Sequence, residues 1–260
     1  MSKGKIVEKP VEQPVEQKSF KDYLNIYEFE TELPGSGELI KFKPITTLQL
    51  KRLLVYEKEE NPVKIQVALD ELITSSVLNE GFNIGELYLQ DRFFLLLEIR
   101  KKTKGSIHKW EYTCPKCSSQ SLQTFNLDDV PVKKKQEEIN DIVELNENIK
   151  VRLKHITRKE QDRIMKTLNH KVSDLQYMTE LMTSSHAASI VSIISPEGES
   201  TDVPFTDKKY LLENIPTGVY DKVRDWFTDN DFGAELNFDI KCPHCGNEKE
   251  IEVDVEDFFL

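Results

Sequence analysis

The apolar residues of this chain recur at two spacings, one typical of strands and one typical of helices. Residues 27–33 mix aromatic side chains with Thr and Glu, and Leu39–Phe42 follows the turn sequence Pro34-Gly35-Ser36-Gly37. Strand-like segments on both sides of a turn rich in Gly and Pro predict a β-hairpin.

Three helices are predicted after this hairpin. Thr46 is followed three residues later by Gln49, which is the pattern of a capping box at a helix start. Residues 86–100 predict another helix, because they contain a continuous apolar run. Between these two, Pro62 precedes apolar residues at the spacing of one helical face, namely Ile65, Leu69, Leu72, Ile73 and Val77.

The second half of the chain has helical spacings as well, over residues 174–194, 207–213 and 219–226. Within the first of these segments, Met178, Leu181 and Met182 form an apolar stripe. We expect this stripe to lie in the core rather than at a cofactor, because Met commonly fills irregular gaps in cores.

The two halves of the sequence match each other at two offsets. At an offset of 111 (157 − 46), Thr46 and Gln49 align with Thr157 and Glu160, so that each half has a capping box. At an offset of 128 (242 − 114), Cys114-Pro115-x-Cys117 aligns with Cys242-Pro243-x-Cys245. The second half is therefore longer between these features by the difference of the two offsets (128 − 111 = 17). Two matches in the same order predict a duplicated unit.

Each cysteine pair lies between two segments of alternating polarity. Trp110 and Tyr112 alternate with polar residues before the first pair, as Phe238 and Ile240 do before the second. This pattern predicts strand, turn and strand, with the cysteines in the turn. Two such knuckles supply four thiolates, the ligand set of a tetrahedral structural zinc site. We therefore expect one zinc ion to join the halves through Cys114, Cys117, Cys242 and Cys245.

Two competing interpretations of the cysteines remain open. The knuckles could lack a metal, because Cys117 and Cys242 lie far apart in the sequence and a zinc ribbon is usually local. A redox C-x-x-C is a poorer fit, because that motif starts a helix, where its thiol pKa is lowered. Both pairs here precede strand-like sequence instead.

The histidines do not extend this ligand set. His244 lies inside the second knuckle and is expected to face solvent, and His108 is too far from Cys114 to replace a cysteine. The remaining three share no spacing and are expected to be ordinary surface or helix residues, namely His155, His170 and His186.

These features predict an α+β fold of two related helical lobes. Each lobe carries a β-hairpin zinc knuckle, and the two knuckles pair as a zinc-ribbon-like site. The expected boundaries are a disordered or extended tail over residues 1–18, an N-terminal lobe over 19–130, a charged linker over 131–148 and a C-terminal lobe over 149–260.

Composition and missing motifs exclude several classes of protein. The 260 residues carry a net charge of −11, and no apolar run reaches the roughly 18–20 residues that span a bilayer. The N-terminus lacks the apolar centre of a signal peptide, so we expect neither secretion nor membrane insertion. The sequence has no Gly-rich phosphate loop, nucleophile turn or H-E-x-x-H motif. Four thiolates leave zinc no open position for a reactive water, so no enzyme is predicted.

The charge is distributed unevenly around the two knuckles. Residues 100–117 hold six basic side chains and one acid, whereas residues 229–260 hold ten acids and two lysines. Two solvated faces explain this, and so does attraction between the halves or between copies that associate head to tail. Net acidity disfavours a general nucleic-acid binder, because phosphate contacts need a basic surface.

The succession of motifs resembles the T-even-type bacteriophage baseplate hub assembly proteins. The motifs are Leu33-Pro34-Gly35-Ser36-Gly37, Lys43-Pro44-Ile45-Thr46-Thr47, Asp91-Arg92-Phe93-Phe94-Leu95-Leu96 with Ile99-Arg100, and Cys114-Pro115-x-Cys117. The resemblance covers about residues 30–130, and the second half is then a degenerate copy. It implies a non-enzymatic protein of a contractile-tailed phage, made in the host cytoplasm and acting there or in the virion tail baseplate.

Two functions follow as expectations. The first is a structural or assembly protein of the baseplate, either in the hub or in its assembly. Its partners are other phage baseplate or tail proteins, in an assembly that can hold multiple copies, with no membrane and with nucleic acid disfavoured. The alternative is a zinc-ribbon nucleic-acid-binding or transcription-associated module, which the basic residues 100–104 keep open.

Overall fold

The computed structural model describes residues 27–56, 61–169 and 172–252, and the tail predicted over residues 1–18 lies outside them. Over the described ranges the chain has a mixed α+β fold of seven α-helices and twelve short strands. None of these helices is long and apolar enough to cross a bilayer. Residues up to 130 are called the first half below, and those after 130 the second half.

The first half opens with the predicted hairpin. Strands β1 (Phe29–Glu32) and β2 (Leu39–Phe42) pair antiparallel. Helix α1 (Thr47–Leu53) starts at the predicted capping box, because the Thr46 hydroxyl accepts from the Gln49 backbone N–H while the Gln49 side chain accepts from the Thr46 backbone.

Two longer helices and a second hairpin follow. Helix α2 (Pro62–Ser76) begins with proline, whose fixed backbone angle suits a first helical turn. Helix α3 (Leu89–Lys104) starts later than the predicted residue 86, because Ile84–Glu86 forms a separate 3-10 turn. Strands β3 (Ile107–Thr113) and β4 (Gln120–Asn126) then pair antiparallel.

The core of the first half lies between hairpin β1–β2 and helices α2 and α3. The helical spacing of α2 predicts its inner face, and Leu69, Leu72 and Ile73 are indeed buried. Leu236 of the second half belongs to the same core, so the halves share apolar contacts.

A four-stranded antiparallel sheet dominates the start of the second half. Its order is β6 (Ile142–Glu144), β7 (Lys150–Leu153), β8 (Ile190–Ser195) and β9 (Gly198–Ser200). A further strand, β5 (Val132–Lys133), pairs with β10 (Gly233–Ala234). The residues expected to form a linker, 131–148, thus contribute strands to two sheets. The division of the chain at these residues stays a prediction.

Four helices and a last hairpin complete the second half. Helix α4 (Arg158–Thr167) starts at the predicted capping box of Thr157 and Glu160. Helix α5 (Asp174–Ser189) ends before the predicted residue 194, because the following Ile-Val-Ser-Ile-Ile run is rich in β-branched residues and forms β8. The remaining elements are α6 (Phe205–Asn214), α7 (Thr217–Asp229), β11 (Asn237–Lys241) and β12 (Glu248–Glu252).

The core position expected for the methionine stripe of α5 is wrong for both methionines. Met178 is 59% exposed and Met182 is 41% exposed, while Leu181 is partly buried. The buried residues of α5 are small instead, namely Ser184, Ala187 and Ser189. Small side chains let the helix backbone pack closely against neighbouring elements. The face with Ser184, Ala187 and Ser189 is therefore buried, although the face with the methionines is more apolar.

The element bounds repeat at the same offsets as the sequence motifs. The starts of strands β2 and β7 differ by 111 (150 − 39), as do those of helices α1 and α4 (158 − 47). The starts of helices α3 and α7 differ by 128 (217 − 89), as do those of strands β4 and β12 (248 − 120). Hairpin β8–β9 and helix α6 lie between α5 and α7, where the first half has only a loop and a 3-10 turn between α2 and α3. The extra residues of the second half are therefore found in this region.

Polar contacts also join the two halves. The Arg158 backbone N–H donates to the Leu87 carbonyl at 2.9 Å, and Tyr88 forms a β-bridge with Thr157. The Lys135 backbone N–H donates to the Pro34 carbonyl at 2.9 Å. These bonds connect the start of α3 and the β1–β2 turn to the second half, independently of any metal.

Candidate metal centre

The first cysteine pair lies in the tight turn between β3 and β4. The Cys114 backbone N–H donates to the Ser119 carbonyl at 2.9 Å, and the Ser118 N–H donates to the Cys114 carbonyl at 2.8 Å. Ser118 has a φ of +57°, in the left-handed region that few residues other than glycine adopt. The turn brings the side chains of Cys114 and Cys117 to the same end of the hairpin.

The second pair repeats this geometry between β11 and β12. The Cys242 backbone N–H donates to the Asn247 carbonyl at 2.8 Å, and the Gly246 N–H donates to the Cys242 carbonyl at 2.9 Å. Gly246 has a φ of +67° and matches Ser118 at the offset of the cysteines. The two knuckles thus share backbone conformation as well as the C-P-x-C sequence.

The structure brings all four predicted ligand residues together. The sulfur atoms of Cys114 and Cys245 are 3.7 Å apart and those of Cys117 and Cys242 are 3.8 Å apart, so each close pair joins the two hairpins. All four sulfurs lie within 4.8 Å of one another. Zinc–thiolate bonds of about 2.3 Å in a tetrahedron separate sulfurs by about 3.8 Å, which fits these distances. A disulfide would need about 2.05 Å, and the cysteines are free thiols.

Apolar side chains of both hairpins pack against the two buried cysteines. Cys114 and Cys242 are buried, whereas Cys117 and Cys245 are exposed. The rings of Phe125 and Phe238, one from each hairpin, lie 4.3 Å apart between centroids. These side chains are Tyr112, Phe125 and Ile240, with Trp110, Phe238 and Ile251 packed against them. The hairpins therefore meet through a small core as well as through sulfur.

The neighbours of the thiols change their acidity in opposite directions. The Ser119 hydroxyl lowers the pKa of Cys117, and it contributes most to lowering the pKa of Cys242 to about 6. The Asn247 backbone N–H lowers the pKa of Cys245, but burial and the other three cysteines outweigh it and raise that pKa to about 12. A bound divalent cation would favour the thiolate form of all four.

The hydroxyl of Tyr112 is buried beside the side chain of Cys114. Burial, and then the negative charge of Cys114 and Cys242, raise the pKa of Tyr112, so the hydroxyl stays protonated beside the sulfurs. Neither Tyr112 nor Ser119 was predicted as a site residue. Tyr112 was predicted only as a strand residue, and no sequence signal distinguishes Ser119 from the other serines of its turn.

The structure places the described histidines outside the sulfur cluster. His244 is exposed, as predicted. His155 is not a surface residue, because it is buried between the rings of Trp226 and Phe232. His186 lies in helix α5 as expected, and His170 lies outside the described residues. Within the described ranges, the four cysteines form the one group of three or more acidic, His or Cys side chains close enough to hold an ion.

A family model described as T4 bacteriophage base plate protein matches residues 25–260, which is most of the chain. The chain belongs to this family. The match confirms the resemblance found in the sequence and extends it over the second half. No curated protein and no solved structure matches the chain.

The surroundings of the cysteines in this base plate protein disfavour redox catalysis. Each pair is followed by a strand, β4 or β12, and neither starts a helix. The helix-start geometry that activates a redox C-x-x-C is therefore missing at both pairs.

The basic residues 100–104 make contacts within this base plate protein. Arg100 is buried and donates to the Gly105 carbonyl at 2.7 Å. Lys101 forms ion pairs with Glu98 and Asp128, and Lys102 lies over the ring of Phe29. These contacts leave fewer charges for phosphates than the sequence suggests.

Proposed function

We propose that this chain is a non-enzymatic structural or assembly protein of a contractile-tailed phage baseplate, either in the hub or in its assembly. The family match over residues 25–260 carries the proposal. The protein would be made in the host cytoplasm and bind other baseplate or tail proteins, there or in the virion. The internal contacts of the basic residues 100–104 favour protein partners over nucleic acid.

The second part of the proposal is a structural zinc ion bound by Cys114, Cys117, Cys242 and Cys245. The sulfur spacing, the matched knuckle turns and the all-thiolate donor set support it. Zinc bound by four thiolates holds chain segments together without taking part in a reaction. Here it would fix the two hairpins, 125 positions apart in the sequence at Cys117 and Cys242, in one zinc-ribbon-like unit.

The third part is that the chain consists of two related lobes, with the metal between equivalent points of each. The repeated offsets of strands, helices and knuckles support a duplication. In this account the second lobe gained hairpin β8–β9 and helix α6, and the lobes correspond to residues 19–130 and 149–260.

Complementation of a phage that lacks this gene tests the role in the baseplate. We expect defective baseplates by electron microscopy without the protein, and normal particles when the parent protein is supplied. Affinity purification from infected cells, with nuclease treatment as a control, should retain other tail proteins. Complete baseplates in the absence of the protein, or retention of nucleic acid in place of tail proteins, would contradict the proposal.

A further inference from the structure

The side chain of Ser119 lies where the two knuckles meet. Its hydroxyl oxygen is 3.0 Å from the sulfur of Cys117, in its own hairpin, and 3.6 Å from the sulfur of Cys242, in the other hairpin. Those two sulfurs form one of the two close pairs that join the halves, at 3.8 Å. The hydroxyl therefore reaches both ends of one edge of the sulfur tetrahedron.

The knuckle turn holds this hydroxyl in place. The Ser119 carbonyl accepts from the Cys114 backbone N–H at 2.9 Å, so the residue is fixed to the turn from which its side chain extends. A hydroxyl is both donor and acceptor, but a thiolate only accepts, so the Ser119 proton would be directed to sulfur when metal is bound. Hydrogen bonds to charged acceptors are stronger than neutral ones.

The second knuckle has no serine at the matching place. Asn247 matches Ser119 at the offset of the cysteines and contacts the Cys245 sulfur through its backbone N–H. The hydroxyl is thus a feature of the first knuckle alone, although the turns share their backbone bonds. The second knuckle makes the same turn without this hydroxyl, so the turn does not require the contact of Ser119 with both sulfurs.

We propose that Ser119 is a positioning residue for the metal ion. The single proton of its hydroxyl is shared between the thiolates of Cys117, the nearer, and Cys242 in a three-centre hydrogen bond, which offsets their charge and fixes the edge of the tetrahedron at which the halves meet. The proposal rests on the zinc site proposed above and adds a residue outside the four ligands. Removing such a supporting hydrogen bond typically lowers metal affinity roughly 10- to 100-fold.

Titration of the metal-free full chain with Co²⁺ and with Zn²⁺, each in competition with a chelator of known affinity, tests this role, and Co²⁺ bound to thiolates is followed by its visible absorption. The variants are Ser119→Ala, Ser119→Thr, which keeps the hydroxyl, and Asn247→Ala as the matched control. We expect the first to bind both metals about 10-fold more weakly while keeping the spectrum of four thiolates. Ser119→Thr and Asn247→Ala should stay within about twofold of the parent. The unfolding midpoints of the metal-free proteins, measured by circular dichroism, should agree, which separates metal binding from folding.

The outcomes distinguish this role from the metal site itself. A parent protein that binds no Co²⁺ with a thiolate spectrum contradicts the zinc site, and the role of Ser119 with it. A parent that binds one ion, together with a Ser119→Ala protein of unchanged affinity, contradicts only the role of Ser119. Equal weakening by Ser119→Ala and Asn247→Ala would also overturn it, because the effect would then belong to the turn.

Discussion

One carboxylate oxygen of Asp70 accepts a hydrogen bond of 2.9 Å from Nε of Arg158, across the boundary between the two halves. Its other oxygen accepts one of 2.6 Å from Nε of Arg92. Arg158 is only 2% exposed, and Arg92 is buried as well. A single carboxylate of α2 thus forms ion pairs with guanidinium groups of both α3 and α4. The halves are held here at a point that is separate from the cysteines.

Replacing Asp70 by Asn should destabilise the protein by about 3 kcal/mol, because it removes the charge that pairs with two buried guanidinium groups. The free energy of unfolding in urea measures this loss. Glu32→Gln is the matched control, because its ion pair with Lys134 also joins the halves but is exposed. We expect it to cost less than about 1 kcal/mol. Equal losses in the two variants would show that the Asp70 pairs are as weak as surface pairs.

The turn between β1 and β2 makes a second close contact with the other half. A methyl group added at Gly35 would lie 2.3 Å from a ring carbon of Phe232 and 2.9 Å from the carboxylate of Asp91. Asp91 accepts from the Gly35 and Ser36 backbone N–H groups, so this turn has little room to move. Gly35→Ala should therefore cost about 1–3 kcal/mol.

Gly218 is the control for this substitution. It lies in helix α7 with nothing within 4 Å of an added methyl group. Gly218→Ala should stabilise the protein by about 0.4–1 kcal/mol, because alanine restricts the unfolded chain. Thermal unfolding of both variants measures the effects. A Gly35→Ala protein as stable as the parent would contradict the close packing of Phe232.

How well the sequence predicted each element depended on whether its signal was local. Helix α2 was predicted from its spacing because Leu69, Leu72 and Ile73 face one core. The cysteine cluster was predicted because each knuckle has its own strand and turn pattern. The inner face of α5 was not, because its buried side chains are Ser and Ala, whereas Leu175, Met178 and Met182 are exposed. That choice depends on the elements packed against the helix, which periodicity does not contain.

Contacts between the halves were the least predictable part of the structure. Asp70 and Arg158 are 88 positions apart, and nothing in either local sequence indicates that they pair. His155 has no signal of burial around it, yet it packs among rings from α7 and the residues after it. The contact of Ser119 with Cys242 likewise joins distant parts of the sequence, so the local sequence does not predict a role for Ser119.

The burial of His155 predicts a dependence of stability on pH. Burial, and then the positive charge of Lys135, lower the pKa of His155 to about 4, whereas an unfolded histidine titrates near about 6.5. The unfolded chain therefore binds the proton more readily. The contribution of His155 to stability is complete above about pH 6.5 and falls as the pH drops toward 4. We expect this residue to account for a loss of about 2 kcal/mol between pH 7 and pH 5.

Urea unfolding of the parent and of His155→Phe, each at pH 7 and at pH 5, isolates the contribution of His155 to the free energy of unfolding. The pKa of His186 is also lowered to about 4, mainly by burial, but that group and the cysteines are present in both proteins and cancel in the difference. The variant should lose about 2 kcal/mol less than the parent on acidification. An identical loss in the two proteins would contradict a buried, neutral His155.

The central claim is that one ion is shared by cysteines from both halves. Zinc content per chain, measured by elemental analysis of the parent and of two double variants, tests it most directly. The variants are Cys114→Ser with Cys117→Ser, and Cys242→Ser with Cys245→Ser, each of which removes one knuckle and keeps the other. We predict about one zinc per parent chain and almost none in either variant. A parent without zinc, or a variant that keeps its zinc with only one knuckle, would contradict it.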